Sequence, residues 1–245
     1  MSIEDLPVEI RDDIEDQSLD LLEGLAADII VIGGWGVRAH LGTGHRRHTL
    51  DVDGVMDEAA LLDLAGRLEA MGMHVERAGW GIRSHVKYSP RVEVPDATRS
   101  AVDGVELRVE VSGPRIQELR THHFFEFSLT EYLERSVAYH GQPRELVIRV
   151  PPKEHLAAVK LGLPVDFKNN LDATLLLRTC DLREVARVIR ASDEWREMVL
   201  RRLPKLKGRI SQPGRLENEV AVGAGIAIHE HLARLGELEG MLRDR

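Results

Sequence analysis

The hydrophobic period of this chain changes at Pro151-Pro152, and that change limits the fold more than any other feature. Ahead of it, the clearest apolar pattern is alternation. Val105-Glu106-Leu107-Arg108-Val109-Glu110-Val111 follows the period of two expected of a strand with one covered face. Asp28 introduces Ile29-Ile30-Val31-Ile32, a β-branched run suited to a buried strand, and Gly33-Gly34 stops it. Residues 35–41 suit a short helix, and residues 49–56 alternate as a second strand. Residues 7–24 read as an acidic amphipathic helix, with Ile10, Ile14, Leu19 and Leu22 at helical spacing. Asp57 is placed to cap a helix carrying Leu61, Leu64, Ala65, Leu68 and Met71 on one face, which Gly72 would end. Strand-like pieces follow around Val75, Val86 and Val92, and a hairpin over 136–150 turns at Gly141-Gln142-Pro143. From Lys153 onward the spacing is helical, ending with helices over 195–203 and 217–242 separated by a loop that Pro204 and Pro213 bound. Two domains are expected, 1–150 with mixed helix and strand and 151–245 all-helical.

Composition narrows the function classes. With 43% hydrophobic and 30% charged residues among 245, the chain can build an ordinary core, drawn from Leu, Val, Ile and Ala because aromatics are only 4%. A net charge of -8 argues against broad electrostatic attraction to nucleic acid, although a local basic groove is compatible with it. The single Cys180 forms no intramolecular disulfide and no zinc cluster. Residues 1–20 lack an apolar signal core, and nowhere do eighteen apolar residues run together, so a cytoplasmic protein without a membrane span is expected.

Chemistry concentrates between residues 33 and 53. In a strand, Asp51 and Asp53 project to the same side. Two carboxylates so close repel unless cations hold them or one takes a proton. A Mg²⁺ pair about 3.5–4 Å apart, bound by such hard oxygen ligands, is the arrangement common to in-line displacement at phosphorus. Gly33 and Gly34 let backbone approach a bulky anion, and the helix that follows aims its free N–H groups toward phosphate. Taken singly, Asp-x-Asp also describes a solvated strand face and a diglycine also describes a turn.

The stretch Gly33-Gly34-Trp35-Gly36-Val37, Leu41-Gly42 and Arg47-His48-Thr49-Leu50-Asp51-Val52-Asp53 resembles the active-site signature of the polymerase-β-like nucleotidyltransferase superfamily. Its Gly-Gly-Trp-Gly opening is similar to the lincosamide and aminoglycoside branch, and its Arg-x-Thr-x-Asp-x-Asp to the abortive-infection toxin branch. The resemblance implies an α+β fold, an α/β core whose mixed sheet is flanked by helices, followed by a C-terminal α-helical domain that completes a nucleotide and acceptor cleft. It implies two Mg²⁺ ions, with Mn²⁺ as an alternative, and a nucleoside triphosphate such as ATP as substrate. The acceptor would be tRNA, protein or a small hydroxylated molecule. Asp51 and Asp53 would be catalytic metal ligands, while Gly33, Gly34, Arg47 and Thr49 would meet the nucleotide. A third carboxylate is required on a later strand. Glu106 and Glu110 both qualify, and Glu110 is preferred because it precedes the strand end at Ser112-Gly113-Pro114. Beyond the boundary, residues 154–161 and Lys168-Asn169-Asn170-Leu171-Asp172 resemble a helical motif of the toxin branch. There Lys160 would neutralise triphosphate charge and Asp172 would orient it; an ordinary surface ion pair is the alternative. A nucleotide sensor or antitoxin-like binder that kept the fold without catalysis is the rival from another class.

Other tempting residues have plainer readings. His45, Arg46 and His48 suit a solvated loop, and neither His122-His123 nor His229-Glu230-His231 has zinc-helix spacing. Trp80 and Trp195 suit core or groove positions, and the basic run Arg201 to Arg209 suits a charged edge.

Overall fold

Five alternating or β-branched segments pair into one mixed sheet: β1 (Ile30–Val31), β2 (Asp51–Val55), β3 (His74–Ala78), β4 (Gly81–Lys87) and β5 (Glu106–Ser112), in the order β1-β2-β5-β4-β3. Only β2 and β5 run parallel; the other neighbours are antiparallel. Four helices belong to the same unit: α1 (Val8–Glu23), α2 (Gly33–Leu41), α3 (Leu61–Ala70) and α4 (Asp96–Val102). The computed structural model describes residues 5–42, 48–118, 122–164, 166–212, 214 and 228–244. They divide into two compact units, the first holding the described residues up to Ile116 together with 126–151, the second those of 117–125 and from Pro152 onward.

Alternation decides which sheet face is covered. Val52, Ile82, Val109 and Val111 are buried with Leu19 and Leu22 of α1, Trp35 of α2, and Leu64 and Leu68 of α3. The residues that alternate with them, Asp51, Asp53, Arg83, His85, Arg108 and Glu110, are consigned to the other face. Strands β6 (Arg115–Gln117) and β7 (Phe124–Glu126) make a small sheet, and β8 (Leu133–Ala138) pairs with β9 (Glu145–Val150) as the expected hairpin. The second unit is built from α5 (Lys153–Gly162), α6 (Phe167–Leu177), α7 (Leu182–Arg190), α8 (Asp193–Ile210) and α9 (Ile228–Arg243). Leu156, Leu176, Val185, Ile189, Val199, Leu203, Leu238 and Leu242 form its apolar interior.

Several boundaries differ from the sequence reading. The apolar run 29–32 supplies only two ladder residues, because α2 begins at Gly33, earlier than expected. Val92 lies in a loop and not in a strand, and α4 follows it where no helix was expected. Pro204 does not end a helix but sits inside α8. Proline has no N–H for the preceding turn, yet Leu203, Leu206 and Ile210 are buried on either side of the lesion and hold the helix together. Residues 217–227 of the expected final helix lie outside the described residues.

Helix α1 departs from simple amphipathicity in a way that organises the first unit. Its polar residues Asp13, Glu15, Asp16, Gln17 and Ser18 are buried alongside Ile10, Ile14, Leu19 and Leu22. Buried polar groups are tolerable only when hydrogen-bonded, and these are. Asp13 accepts from the Tyr88 hydroxyl at 2.5 Å and the Arg91 amide at 2.9 Å. Asp16 accepts from the His140 and Gly141 amides at 2.7 and 2.8 Å. Glu15, 1% exposed, takes Arg38 Nη1 on both oxygens at 2.8 Å, the Thr49 amide at 2.8 Å and His140 Nε2 at 2.7 Å. Although burial alone would raise its pKa, hydrogen bonds from His140 and His48 and the Arg38 charge hold the carboxyl well below the usual range.

Removing one partner of a buried charge pair leaves the other uncompensated. Glu15→Ala is therefore expected to lower unfolding free energy by about 3–5 kcal/mol in urea titration. Because the folded carboxyl is depressed, its contribution is complete above the ordinary value of 4.5 and declines as pH falls below it. Measured against Glu15→Gln, the stability margin of the wild type should shrink from pH 5 to pH 3; a margin that stays level would remove the charge argument.

Candidate active site

The open face of the sheet gathers charge by register. Asp53 stands opposite Glu110 on β5, and Glu110 opposite Arg83 on β4. One step along, Asp51 stands opposite Arg108, and Arg108 opposite His85. Cross-strand partners point to the same side, so Asp51, Asp53 and Glu110 form an acidic corner bordered by two arginines. Glu106 lies further along β5, opposite Lys87, and pairs with Arg108 at 3.2 Å. Of the two glutamates, Glu110 is the one beside Asp53.

Gly33 explains why a glycine must follow β1. Its φ is +41°, and a Cβ there would sit 1.9 Å from Asp53 Oδ2 and 2.6 Å from Asp53 Cβ. The Asp53 side chain thus occupies the space that any other residue at 33 would fill, beside the N-terminal turn of α2. That turn carries partial positive charge from its unpaired amides. The Ile32 amide also donates to the Asp53 carbonyl at 2.8 Å, fixing the strand against the start of the helix. Gly34 is part of the same first turn and is buried.

Trp35, the third residue of the Gly-Gly-Trp-Gly stretch, is fully buried, and its indole N–H donates to Ser18 Oγ at 3.0 Å. The Ser18 hydroxyl in turn donates to the Leu50 carbonyl at 3.1 Å. Thr49 is buried and gives its amide to Glu15. Arg47 lies outside the described residues, as do His45 and Arg46.

The donor set of the acidic corner, three carboxylates on one open face, suits a hard divalent cation. Their oxygens are not drawn to a single point, because Glu110 Oε1 accepts from Arg83 Nε at 2.7 Å. Arg83 and Glu110 are 51% and 34% exposed as side chains. A pair so open to solvent contributes on the order of 1 kcal/mol or less, so Glu110 can leave it for a cation at little cost. Among the described residues, Asp12, Glu15 and His140 are the group with ligand atoms all within 4.8 Å of one another. Those atoms do not make a metal centre, since the Arg38 guanidinium already lies against both Glu15 oxygens and would repel an added cation.

In the helical unit, Lys160 Nζ lies 2.9 Å from Asp172 Oδ2, with side chains 9% and 0% exposed, so this is a buried pair and not a surface one. His123 packs edge-on to Phe125 at 4.9 Å, and Phe125 to Trp195 at 5.1 Å between ring centroids, so Trp195 is a core residue. Trp80 is 47% exposed in the β3–β4 turn, with Arg83 5.7 Å from its ring centroid. The sequence reading missed Glu15, Ser18, Arg38, His140 and Arg83 as residues that build or border the site. Only Arg38 carried a signal, a basic residue inside the helix that follows the diglycine.

No family model matches the chain, and no curated protein matches it. Among solved structures it is similar to the antibiotic-resistance factor ANT(2'')-Ia, at 16% identity and TM-score 0.47, over 74% of this chain and 91% of that one. It is also similar to the lincosamide antibiotic adenylyltransferase LnuA in its lincomycin-bound form, at 18% identity and TM-score 0.40, over 64% of this chain and 90% of that one. No described helix is long and apolar enough to cross a membrane.

Gly33→Ala is expected to cost about 1–2 kcal/mol for the left-handed backbone alone, with further loss from displacing Asp53. Thermal unfolding checks the stability, and a crystal structure of the variant should show Asp53 in a different rotamer.

Proposed function

We propose that this protein transfers a nucleoside monophosphate from a nucleoside triphosphate, ATP among them, to an acceptor hydroxyl. The acceptor oxygen forms a bond to the α-phosphorus, the bond from that phosphorus to the β-bridging oxygen breaks, and pyrophosphate leaves with the electron pair. What carries this reading is the acidic corner of Asp51, Asp53 and Glu110 set against the glycine that begins α2. A solvated strand face has no need of a glycine cut away to seat one of its carboxylates.

Asp51, Asp53 and Glu110 would hold two divalent cations, Mg²⁺ or Mn²⁺. When bound, such ions neutralise phosphate charge and stabilise the attacking and leaving oxygens. Glu110, half-buried and paired with Arg83, would help deprotonate the acceptor hydroxyl. Gly33 and Gly34 admit phosphate close to backbone amides at a helix N-terminus, with Arg47 and Thr49 near in sequence. Arg83, once Glu110 turns away, is a planar cation free to meet a phosphate oxygen. Lys160, oriented by buried Asp172, is assigned to the triphosphate by its motif, and the 2.9 Å ion pair supports the orienting role.

The test is a radiolabelled triphosphate incubated with tRNA, total protein and small hydroxylated antibiotics in the presence and absence of Mg²⁺. Label transfer to one class identifies the acceptor. Asp51→Asn and Asp53→Asn are each expected to reduce transfer on the order of a thousandfold or more, the effect of losing several kcal/mol of charge stabilisation. Full activity in either variant would overturn the reading. Triphosphate binding by calorimetry with no transfer to any acceptor would support a non-catalytic nucleotide binder.

A further inference from the structure

We infer that α1 is a two-point clamp that positions the catalytic strand, with Glu15 and Ser18 as its jaws. This rests on the acidic corner being the site of transfer, but its physical basis is independent of activity. Glu15 and Ser18 are three apart on α1 and share a face. Arg38 and Trp35 are three apart on α2 and share a face likewise. Thr49 and Leu50 are consecutive and lead directly into Asp51.

The two jaws join these three segments in matching pairs. Glu15 receives Arg38 from α2 and the Thr49 amide. Ser18 receives the indole N–H of Trp35 and donates to the Leu50 carbonyl. Each jaw therefore grips the diglycine helix and the approach to β2 at once. Glu15 is 1% exposed, and Ser18 and Trp35 are 0% exposed, so water does not compete for the bonds to Arg38, Thr49 and Trp35, while the Ser18–Leu50 bond is half-buried.

The consequence falls on the contact between Gly33 and Asp53, which lie at the working ends of the two clamped segments. A shift of α2 relative to β2 would either drive Gly33 into the Asp53 carboxylate or open the space beside it. His140 extends the Glu15 jaw to the turn between β8 and β9, at 2.7 Å from Glu15 and 3.1 Å from Arg38 Nη2. Glu15, Ser18, Trp35 and Arg38 are thus positioning residues that act on the catalytic aspartates through backbone, touching no substrate.

Ser18→Ala in the full chain tests this, since it removes both bonds of one jaw while leaving the buried charge pair intact. Two measurements are made. Hydrogen exchange by mass spectrometry is expected to show the peptide covering 48–55 exchanging at least tenfold faster, with peptides of α3 and β4 changed less than twofold. In steady state, kcat for nucleotidyl transfer is expected to fall tenfold or more while KM for the triphosphate stays within about twofold. Trp35→Phe, which keeps the ring but loses the N–H, should show the same exchange pattern at smaller amplitude. Unchanged exchange at 48–55 in a folded Ser18→Ala variant overturns the clamp, as does a uniform rise across all peptides. Absence of transfer in the wild type would overturn the functional reading instead, leaving the exchange result to judge the clamp by itself.

Discussion

A carboxylate buried to 1% exposure is unstable unless its surroundings answer its charge, and in this protein the answer to Glu15 organises a whole unit. Arg38 supplies the countercharge, the Thr49 amide and His140 supply further hydrogen bonds, and the group stays ionised where burial would otherwise neutralise it. Each partner comes from a different part of the chain: the helix after the diglycine, the approach to the aspartate strand, and the turn of a hairpin more than a hundred residues away. A hydrophobic contact could bring these segments together, but it has no direction. The Arg38 Nη1, the amide and the imidazole each donate within only a narrow range of geometries, so one carboxylate specifies three placements.

From those placements the acidic corner follows. With Thr49 and Leu50 held, β2 runs beside β5 in a register that sets Asp53 opposite Glu110 and Asp51 opposite Arg108. With α2 held, Gly33 lies under the Asp53 carboxylate. The sheet is therefore divided by polarity. One face, with Val52, Val109 and Val111, is packed against helices, while the other offers alternating acids and arginines to solvent. The arginines matter because three like charges on adjacent strands would otherwise repel across the open face. Arg83 answers Glu110 with an ion pair weak enough to exchange.

Much of this was legible one segment at a time. Strict alternation at Glu106–Ser112 identified a strand and put Glu106, Arg108 and Glu110 on its polar face. The Asp-x-Asp spacing placed Asp51 and Asp53 side by side, and the hairpin ending at Val150 appeared with its turn near Gly141. Local pattern failed where burial is decided by distant partners. Helix α1 reads from sequence as an acidic amphipathic helix, and nothing near Glu15 or Asp16 in the chain announces Arg38, Thr49 or His140. Pro204 looked like a helix end because the local rule penalises it, whereas the buried residues on both sides decide otherwise.

The amino-acid order alone determined the period of each element, the change from strand to helix at Pro151-Pro152, and the shared face of the two aspartates. These depend on backbone geometry over a few residues, where steric rules act without outside help. Tertiary structure alone decided that Glu110 and not Glu106 neighbours Asp53, that Gly33 yields its side-chain space to a carboxylate, and that the acids of α1 face inward. Those outcomes depend on strand register and on charge pairing across long stretches of chain. Neither has a local signature, because the energy that fixes them exists only once the partners have met.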